Sequence, residues 1–217
     1  MTGLMKMKKS EKVVIIRDYL NELFKDPKCE LNYNSDYELL IAIVLSAQTT
    51  DKRVNSVTSI LFDRYNSLEE LSKADIKDIE EILRPLGSFR KKAFYVKEIA
   101  RILVTSYDSK VPIKRGQLEA MPGVGRKTVN VFLGEFYNIP LIAVDTHVER
   151  VSKRLGLAKD SDNVREVEEK LKRAFKREEW AKIHLQLVLF GRYHCKAVSP
   201  NCDNCKLKDI CKYEKRS

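Results

Sequence analysis

No stretch of about 18 or more apolar residues occurs in the chain, which excludes a transmembrane helix and a membrane partner. The opening run Met1 to Lys9 lacks the apolar core of an export signal, so a soluble, cytoplasmic protein with no targeting segment is expected. Cysteine is scarce, five in 217 residues, and thiols stay reduced in that compartment, so a disulfide framework is excluded. With 43% hydrophobic residues the chain can fill a core without one. Period-two alternation of apolar and polar residues is also missing, so no strand is predicted and the chain reads as all-α.

What the chain does have is basic charge, a formal +10 with a pI near 9.3. It is uneven: residues 1–110 carry 19 basic and 17 acidic side chains, residues 111–217 carry 22 and 14. A basic surface with both signs interspersed suits a protein that meets a polyanion, and nucleic acid is the commonest.

Helical spacing organises the rest. Val13, Ile16, Leu20 and Leu23 mark an amphipathic helix over residues 11–24 whose partner must lie far along the chain. A loop follows, holding Cys29 as a semi-buried spectator thiol. Ser35 and Glu38 form a capping box ahead of Leu39 to Leu45, which is apolar on every side and predicts a buried central helix. It stops in Ser46 to Asp51, where Gln48 has no evident structural duty. Thr50 or Asp51 caps a helix with Val54, Val57, Ile60 and Leu61 inward. Short helices at Ser67–Lys73 and Asp75–Leu83 precede a break at Pro85–Ser88 and a longer helix through Arg101, opened by Arg90, Lys91 and Lys92. Basic side chains in a first turn oppose the helix dipole unless an anion offsets it; otherwise they form a solvated charged face.

The stretch Met121-Pro-Gly-Val-Gly-Arg-Lys-Thr-Val-Asn130 is the organising feature. Pro122 ends the helix before it. Gly123 and Gly125 make a tight hairpin in which Val124 tucks inward. A new helix starts near Arg126 and Lys127, with Val129, Phe132, Leu133 and Phe136 on its apolar face. Backbone N–H groups at such a start, with the dipole behind them, suit a phosphate. This is a helix-hairpin-helix pattern, to be weighed against an ordinary corner with a solvated Arg-Lys pair. Further on, Asp145 or Thr146 caps a helix with Val148, Val151 and Leu155 inward. Asn163 and Glu166 cap another with Val164, Val167, Leu171 and Phe175 inward, and a last helix runs from Glu179 to about Tyr193.

Four of the five cysteines fall within the last 23 residues, Cys195, Cys202, Cys205 and Cys211, spaced C-x6-C-x2-C-x5-C. The loop they span has little to bury, and four thiolates on one metal centre would order it. Zinc or an iron–sulfur cluster fits four thiolates. Only one C-x2-C knuckle is present, where zinc ribbons pair two, and this favours the cluster. His194 reads as a surface histidine.

Three stretches, Leu45-Ser-Ala-Gln-Thr-Thr-Asp51, Met121 to Lys127 and Val144-Asp-Thr-His-Val-Glu-Arg150, followed by the four cysteines, resemble the endonuclease III family of helix-hairpin-helix DNA glycosylases over residues 11–213. The resemblance implies a two-lobed all-α fold. One lobe, residues 28–138, is a six-helix barrel carrying the hairpin. The other, residues 1–27 and 139–217, is discontinuous and carries a 4Fe-4S cluster on the loop 195–211. It implies a monomeric, nucleoid-associated repair enzyme bound to duplex DNA with damaged or abasic sites, in the cleft between the lobes. It further implies removal of oxidised pyrimidines, then cleavage 3′ to the abasic site by β-elimination.

In that family pattern Lys127 matches the nucleophile that forms a Schiff base with C1′, and a place at a helix start away from solvent would favour its neutral amine. Asp145 matches the catalytic aspartate, whose charge stabilises the cationic sugar. Gln48 matches the residue that fills the gap left by the flipped nucleotide. Gly123, Val124, Gly125, Arg126, Arg90, Thr146 and Lys196 fall at DNA-contact positions; Glu119 and His147 lie at the pocket. Two departures stand out. Ser88 occupies the position of a leucine wedge in bacterial relatives, with Phe89 as its possible substitute, and the loop from Cys195 to Cys202 has only Lys196 as a base. The alternatives are a monofunctional adenine or thymine/uracil mismatch glycosylase, whose members commonly carry tyrosine or serine at the position of Lys127, and a non-catalytic DNA clamp, which has no use for both Lys127 and Asp145.

Overall fold

The computed structural model describes residues 7–213, so the reading of residues 1–6 as free of an export signal lies outside the described residues. Every regular element among them is helical. None of those helices is long and apolar enough to cross a membrane. The chain divides into two compact units, Cys29–Asn138 and the combination of Met1–Lys28 with Ile139–Ser217. Helix α1 (Lys9–Leu23) belongs to the discontinuous unit.

The continuous unit is built on α2 (Asp36–Leu45), which is buried from Glu38 to Leu45 as its uniform apolarity requires. Its start differs from the expected reciprocal box. The Ser35 hydroxyl accepts the Glu38 N–H at 3.4 Å, but the Glu38 carboxylate accepts the N–H of Asn34, one residue further back, at 2.7 Å. The buried Glu38 thereby fixes the incoming loop. In α3 (Asp51–Arg64), where Thr50 holds the N-cap position without a side-chain bond, Val54, Val57 and Leu61 face inward. Ile60 does not and is 55% exposed. Thr58 takes the inward position instead, its hydroxyl neutralised by donation to the Val54 carbonyl at 3.1 Å.

Helices α4 (Leu68–Lys73) and α5 (Ile76–Leu83) begin on Ser67 and Asp75, whose side chains accept first-turn N–H groups. Both pack along α6 (Phe89–Ser106). This helix continues past Arg101 because Val96, Ile99, Ala100 and Leu103 form one buried stripe. Lys92 lies on that stripe too, against the expectation of a solvated basic face at all three opening positions. The short α7 (Arg115–Glu119) stops before Pro122, and α8 (Arg126–Tyr137) packs against α2 through Val129, Phe132 and Leu133. Phe136 is half-buried, stacked on Phe132 with ring centroids 6.1 Å apart.

In the discontinuous unit α9 (Thr146–Arg154), α10 (Val164–Ala174) and α11 (Trp180–Leu189) share one core with Ile16, Tyr19 and Leu20 of α1. Gln186 of α11, fully buried, donates to Asn21 Oδ1 at 3.0 Å and to the Phe24 carbonyl at 2.8 Å. These bonds satisfy the end of α1 and the amide nitrogen of the glutamine, while its Oε1 is buried without a hydrogen-bond partner among the described residues. Leu23 and Val164, expected inward, are 37% and 46% exposed, each at a helix terminus where the chain leaves its packed face. Asn163 and Glu166 do form the reciprocal box expected of them. The end of α11 widens into a π-helical turn, Phe190–His194, in which the Cys195 N–H reaches the Phe190 carbonyl at 2.7 Å.

Candidate functional site

The hairpin sits in the continuous unit between α7 and α8. The Met121 N–H bonds the Leu118 carbonyl, and the Val124 N–H the Met121 carbonyl, so the turn is closed by its own backbone. Gly123 adopts φ +79, and a Cβ there would fall 2.5 Å from the Tyr95 ring of α6; only glycine fits on both counts. Val124 is buried, as expected. Gly125 differs: a Cβ on it would meet nothing within 4 Å, so no protein group demands its bareness. It stands at the N-cap of α8, which has no side-chain cap and no acid in its first turn. Arg115 ties the two helices together, donating to Glu119 Oε1 at 3.1 Å and to the buried Asn130 Oδ1 at 2.5 Å. The exposed Glu119 is thus held by Arg115.

Lys127 and Arg126 occupy the first turn of α8 and are exposed. Solvent is therefore not excluded from Lys127, contrary to expectation. Its place in the helical period lies opposite Val129, Phe132 and Leu133, the face that packs.

Two further loops of the same unit carry left-handed residues that are not glycine, Gln48 and Ser88, each at φ 56. Both are exposed. Ser88 is the N-cap of α6 without a side-chain bond, and the first turn behind it has no acid. Phe89 is half-buried with the Arg90 guanidinium 5.0 Å over its ring, and Ser88 is the more exposed of the two. Arg90 is exposed, 3.9 Å from Glu80.

In the discontinuous unit Asp145, and not Thr146, is the N-cap of α9. Its Oδ1 accepts the Val148 N–H at 2.8 Å. Among the described residues no other hydrogen bond engages the carboxylate, leaving Oδ2 for another partner. Thr146 is exposed. Burial holds His147 below the ordinary histidine value, so it is neutral at pH 7, with its Nδ1 3.2 Å from the Arg150 guanidinium. Gly191 lets the π turn approach this start of α9, since a Cβ there would fall 2.8 Å from His147 Cβ.

Sequence reasoning missed the arginines of α9. Arg150 donates to the carbonyls of Gly191 and Cys195 at 2.8 and 3.2 Å. Arg154 donates to the Lys196 and Ala197 carbonyls at 2.7 and 3.2 Å and to Cys195 Sγ at 3.4 Å. Their i, i+4 spacing on the helix behind Asp145 was the available signal. Lys196 itself is exposed.

Cys195, Cys202, Cys205 and Cys211 are free, half-buried and line one cavity with Leu155, Phe190 and His194. Among the described residues no three His, Cys, Asp or Glu side chains converge closely enough to hold a single metal ion. A tetrahedral zinc takes four thiolates on one ion, and an iron–sulfur cubane takes four thiolates as well. Burial, and after it the charge of the neighbouring cysteines, raises the Cys205 and Cys211 thiols above the ordinary range. Four thiolates here need a cationic centre, and the donor set fits the cluster.

An all-helical chain with a glycine hairpin opening an uncapped basic helix defines the helix-hairpin-helix class of DNA-repair proteins. Residues 41–177 match the family model described as HhH-GPD superfamily base excision DNA repair protein. Endonuclease III of Bacillus subtilis (strain 168) is 42% identical over 195 residues, covering 90% of this chain and 89% of the relative. The Escherichia coli (strain K12) endonuclease III is 39% identical over 210 residues, covering 97% and 99%. A solved structure of a trapped endonuclease III–DNA covalent intermediate superposes with a TM-score of 0.91 at 42% identity, covering 95% of this chain and 97% of that one. The chain belongs to the endonuclease III family, the DNA glycosylases and abasic-site lyases of base excision repair.

The cap at Asp145 separates two properties of one side chain. Asp145→Ala removes the cap and should lower stability by about 1 kcal/mol. Asp145→Asn keeps a capping oxygen and should cost much less, as measured by urea unfolding of both variants.

Proposed function

We propose that the protein excises oxidised pyrimidines from duplex DNA and then cuts the strand, with Lys127 as nucleophile and Asp145 as the charge that steadies the departing base's sugar. The continuous unit supplies the hairpin, Gln48, Ser88 and Lys127; the discontinuous unit supplies Asp145, Thr146, His147, Lys196 and the cysteine loop. The observation that carries the reading is the start of α8: an exposed amine in the first turn of an uncapped helix, behind a glycine that no protein group crowds. A phosphate held at that start meets backbone N–H groups and the positive end of the helix.

The chemistry then follows in balanced steps. The glycosidic bond breaks with its electron pair leaving on the base, and the sugar takes up positive charge that the Asp145 carboxylate stabilises. The free amine of Lys127 attacks C1′. Opening of the sugar ring moves a proton to O4′ and leaves a protonated Schiff base. That cation acidifies the C2′ proton; its loss pushes electrons toward C3′ and expels the 3′ phosphate. Water returns the lysine. The base must leave the stack first, and Gln48 and Ser88, exposed on left-handed turns, are the residues offered to the vacated space. That the related trapped structure is a covalent DNA intermediate supports the lysine assignment.

We further propose that Cys195, Cys202, Cys205 and Cys211 hold a 4Fe-4S cluster, which when bound supplies a charged cross-link that orders the loop. Arg150 and Arg154 then join that loop to the helix headed by Asp145.

A panel of duplexes carrying thymine glycol, dihydrouracil, uracil opposite guanine, 8-oxoguanine and an abasic site, scored separately for base release and strand cleavage, tests the activity. Oxidised pyrimidines should be preferred and released and cut together. Lys127→Ala should abolish strand cleavage, and Asp145→Asn should slow base release by about 10²-fold or more. Preference for uracil or adenine without cleavage would sink the reading. The cluster is tested by metal content: the purified protein should be brown with about four irons per chain, and Cys202→Ser should lose both. Stoichiometric zinc in a colourless protein would exclude it.

A further inference from the structure

Lys92 has no part in the chemistry above and no evident reason to be a lysine. It sits on the buried stripe of α6 at 5% exposure, in line with Ala93 and Val96. Lysine is almost never buried unless paired. Among the described residues no carboxylate pairs with it, and burial lowers its pKa. An apolar side chain would serve packing alone better, since burying a charge costs stability that a hydrophobic residue of similar volume does not.

What the ammonium does reach is the Ala47 carbonyl, at 2.9 Å. That carbonyl belongs to the peptide unit joining Ala47 to Gln48, so the bond fixes the plane on which the φ of Gln48 depends. Gln48 is left-handed, a conformation a glutamine holds only where its surroundings impose it. The backbone N–H of the same Lys92 bonds the carbonyl of Ser88, the other left-handed residue, at 3.1 Å. That is the first intrahelical bond of α6, so the Lys92 side chain joins the Ala47–Gln48 turn to the helix turn that begins at Ser88.

We infer that Lys92 is a positioning residue that sets the Ala47–Gln48 turn against the Ser88 turn so that both side chains enter the duplex together. The inference rests on the proposed gap-filling role of Gln48 and Ser88. It requires that Lys92 matter where a base has to be replaced within a duplex and not where the strand is single.

The test compares single-turnover release of thymine glycol from duplex DNA with cleavage of a single-stranded oligonucleotide carrying an abasic site, where there is no opposite base to support. Lys92→Met, which keeps the length of the side chain and removes its charge, should slow duplex base release by about tenfold. It should leave single-strand cleavage within about twofold and the melting temperature undiminished. Lys92→Arg, still a donor, should recover most of the duplex rate. Because Lys92 acts through Gln48, adding Lys92→Met to Gln48→Ala should slow the reaction no further than Gln48→Ala alone. Equal losses on both substrates, no loss on either, or additive losses with Gln48→Ala would each overturn the inference. If Lys92→Met fails to fold, Lys92→Gln carries the same comparison. A wild-type protein inactive on both substrates would instead overturn the proposed function, which keeps the two failures apart.

Discussion

An uncapped helix start leaves its positive end to whatever anion arrives, and among the described residues the continuous unit keeps three such starts bare, those of α6, α7 and α8. Helices α2, α4 and α5 begin on Ser35, Ser67 and Asp75, which satisfy first-turn N–H groups from within. Helices α6, α7 and α8 do not. Their first turns hold Arg90 and Lys91, Arg115, and Arg126 and Lys127, without a side-chain cap or an acid. Such starts are unfavourable in isolation, so tertiary structure has to hold them. Tyr95 of α6 supports Gly123 of the hairpin, Arg115 braces α7 against α8, and α2, buried from Glu38 to Leu45, packs against both α6 and α8. In the proposed function a phosphate backbone would meet these helix starts.

The discontinuous unit uses the opposite device. Asp145 caps α9 from within and so is held in one orientation by the helix it begins. Further along that helix Arg150 and Arg154 reach the backbone of the cysteine loop. The loop is poor in apolar side chains, with Val198 80% exposed. Order in the loop and orientation of the carboxylate are therefore coupled through one short helix. A centre held by the four cysteines, as proposed, would thereby be linked mechanically to Asp145.

Local patterns in the sequence carried the parts of this that are local. Uniform apolarity from Leu39 to Leu45 gave the central helix, Pro122 and the two glycines gave the hairpin, and the polar residue ahead of Val148 gave the cap. What escaped was either a choice between equivalent local partners or a partner distant along the chain. Nothing near Glu38 says that its carboxylate will pass over Ser35 to Asn34. Thr58 displaces Ile60 from the core because a threonine can bury its hydroxyl against its own helix. Lys92 reads as one more solvated base until the neighbour 45 residues earlier in the chain is known. Lys127 was expected away from solvent, yet only the packed face of α8 is buried, and the lysine lies opposite it.

The central claim is that the amine of Lys127 bonds covalently to the sugar. Borohydride reduction during turnover on abasic DNA, followed by protease digestion and mass spectrometry of the cross-linked peptide, locates that bond directly. The account predicts a single adduct on the peptide containing Lys127. An adduct on another amine, such as that of Lys91, or complete turnover with no trapped species, would contradict it.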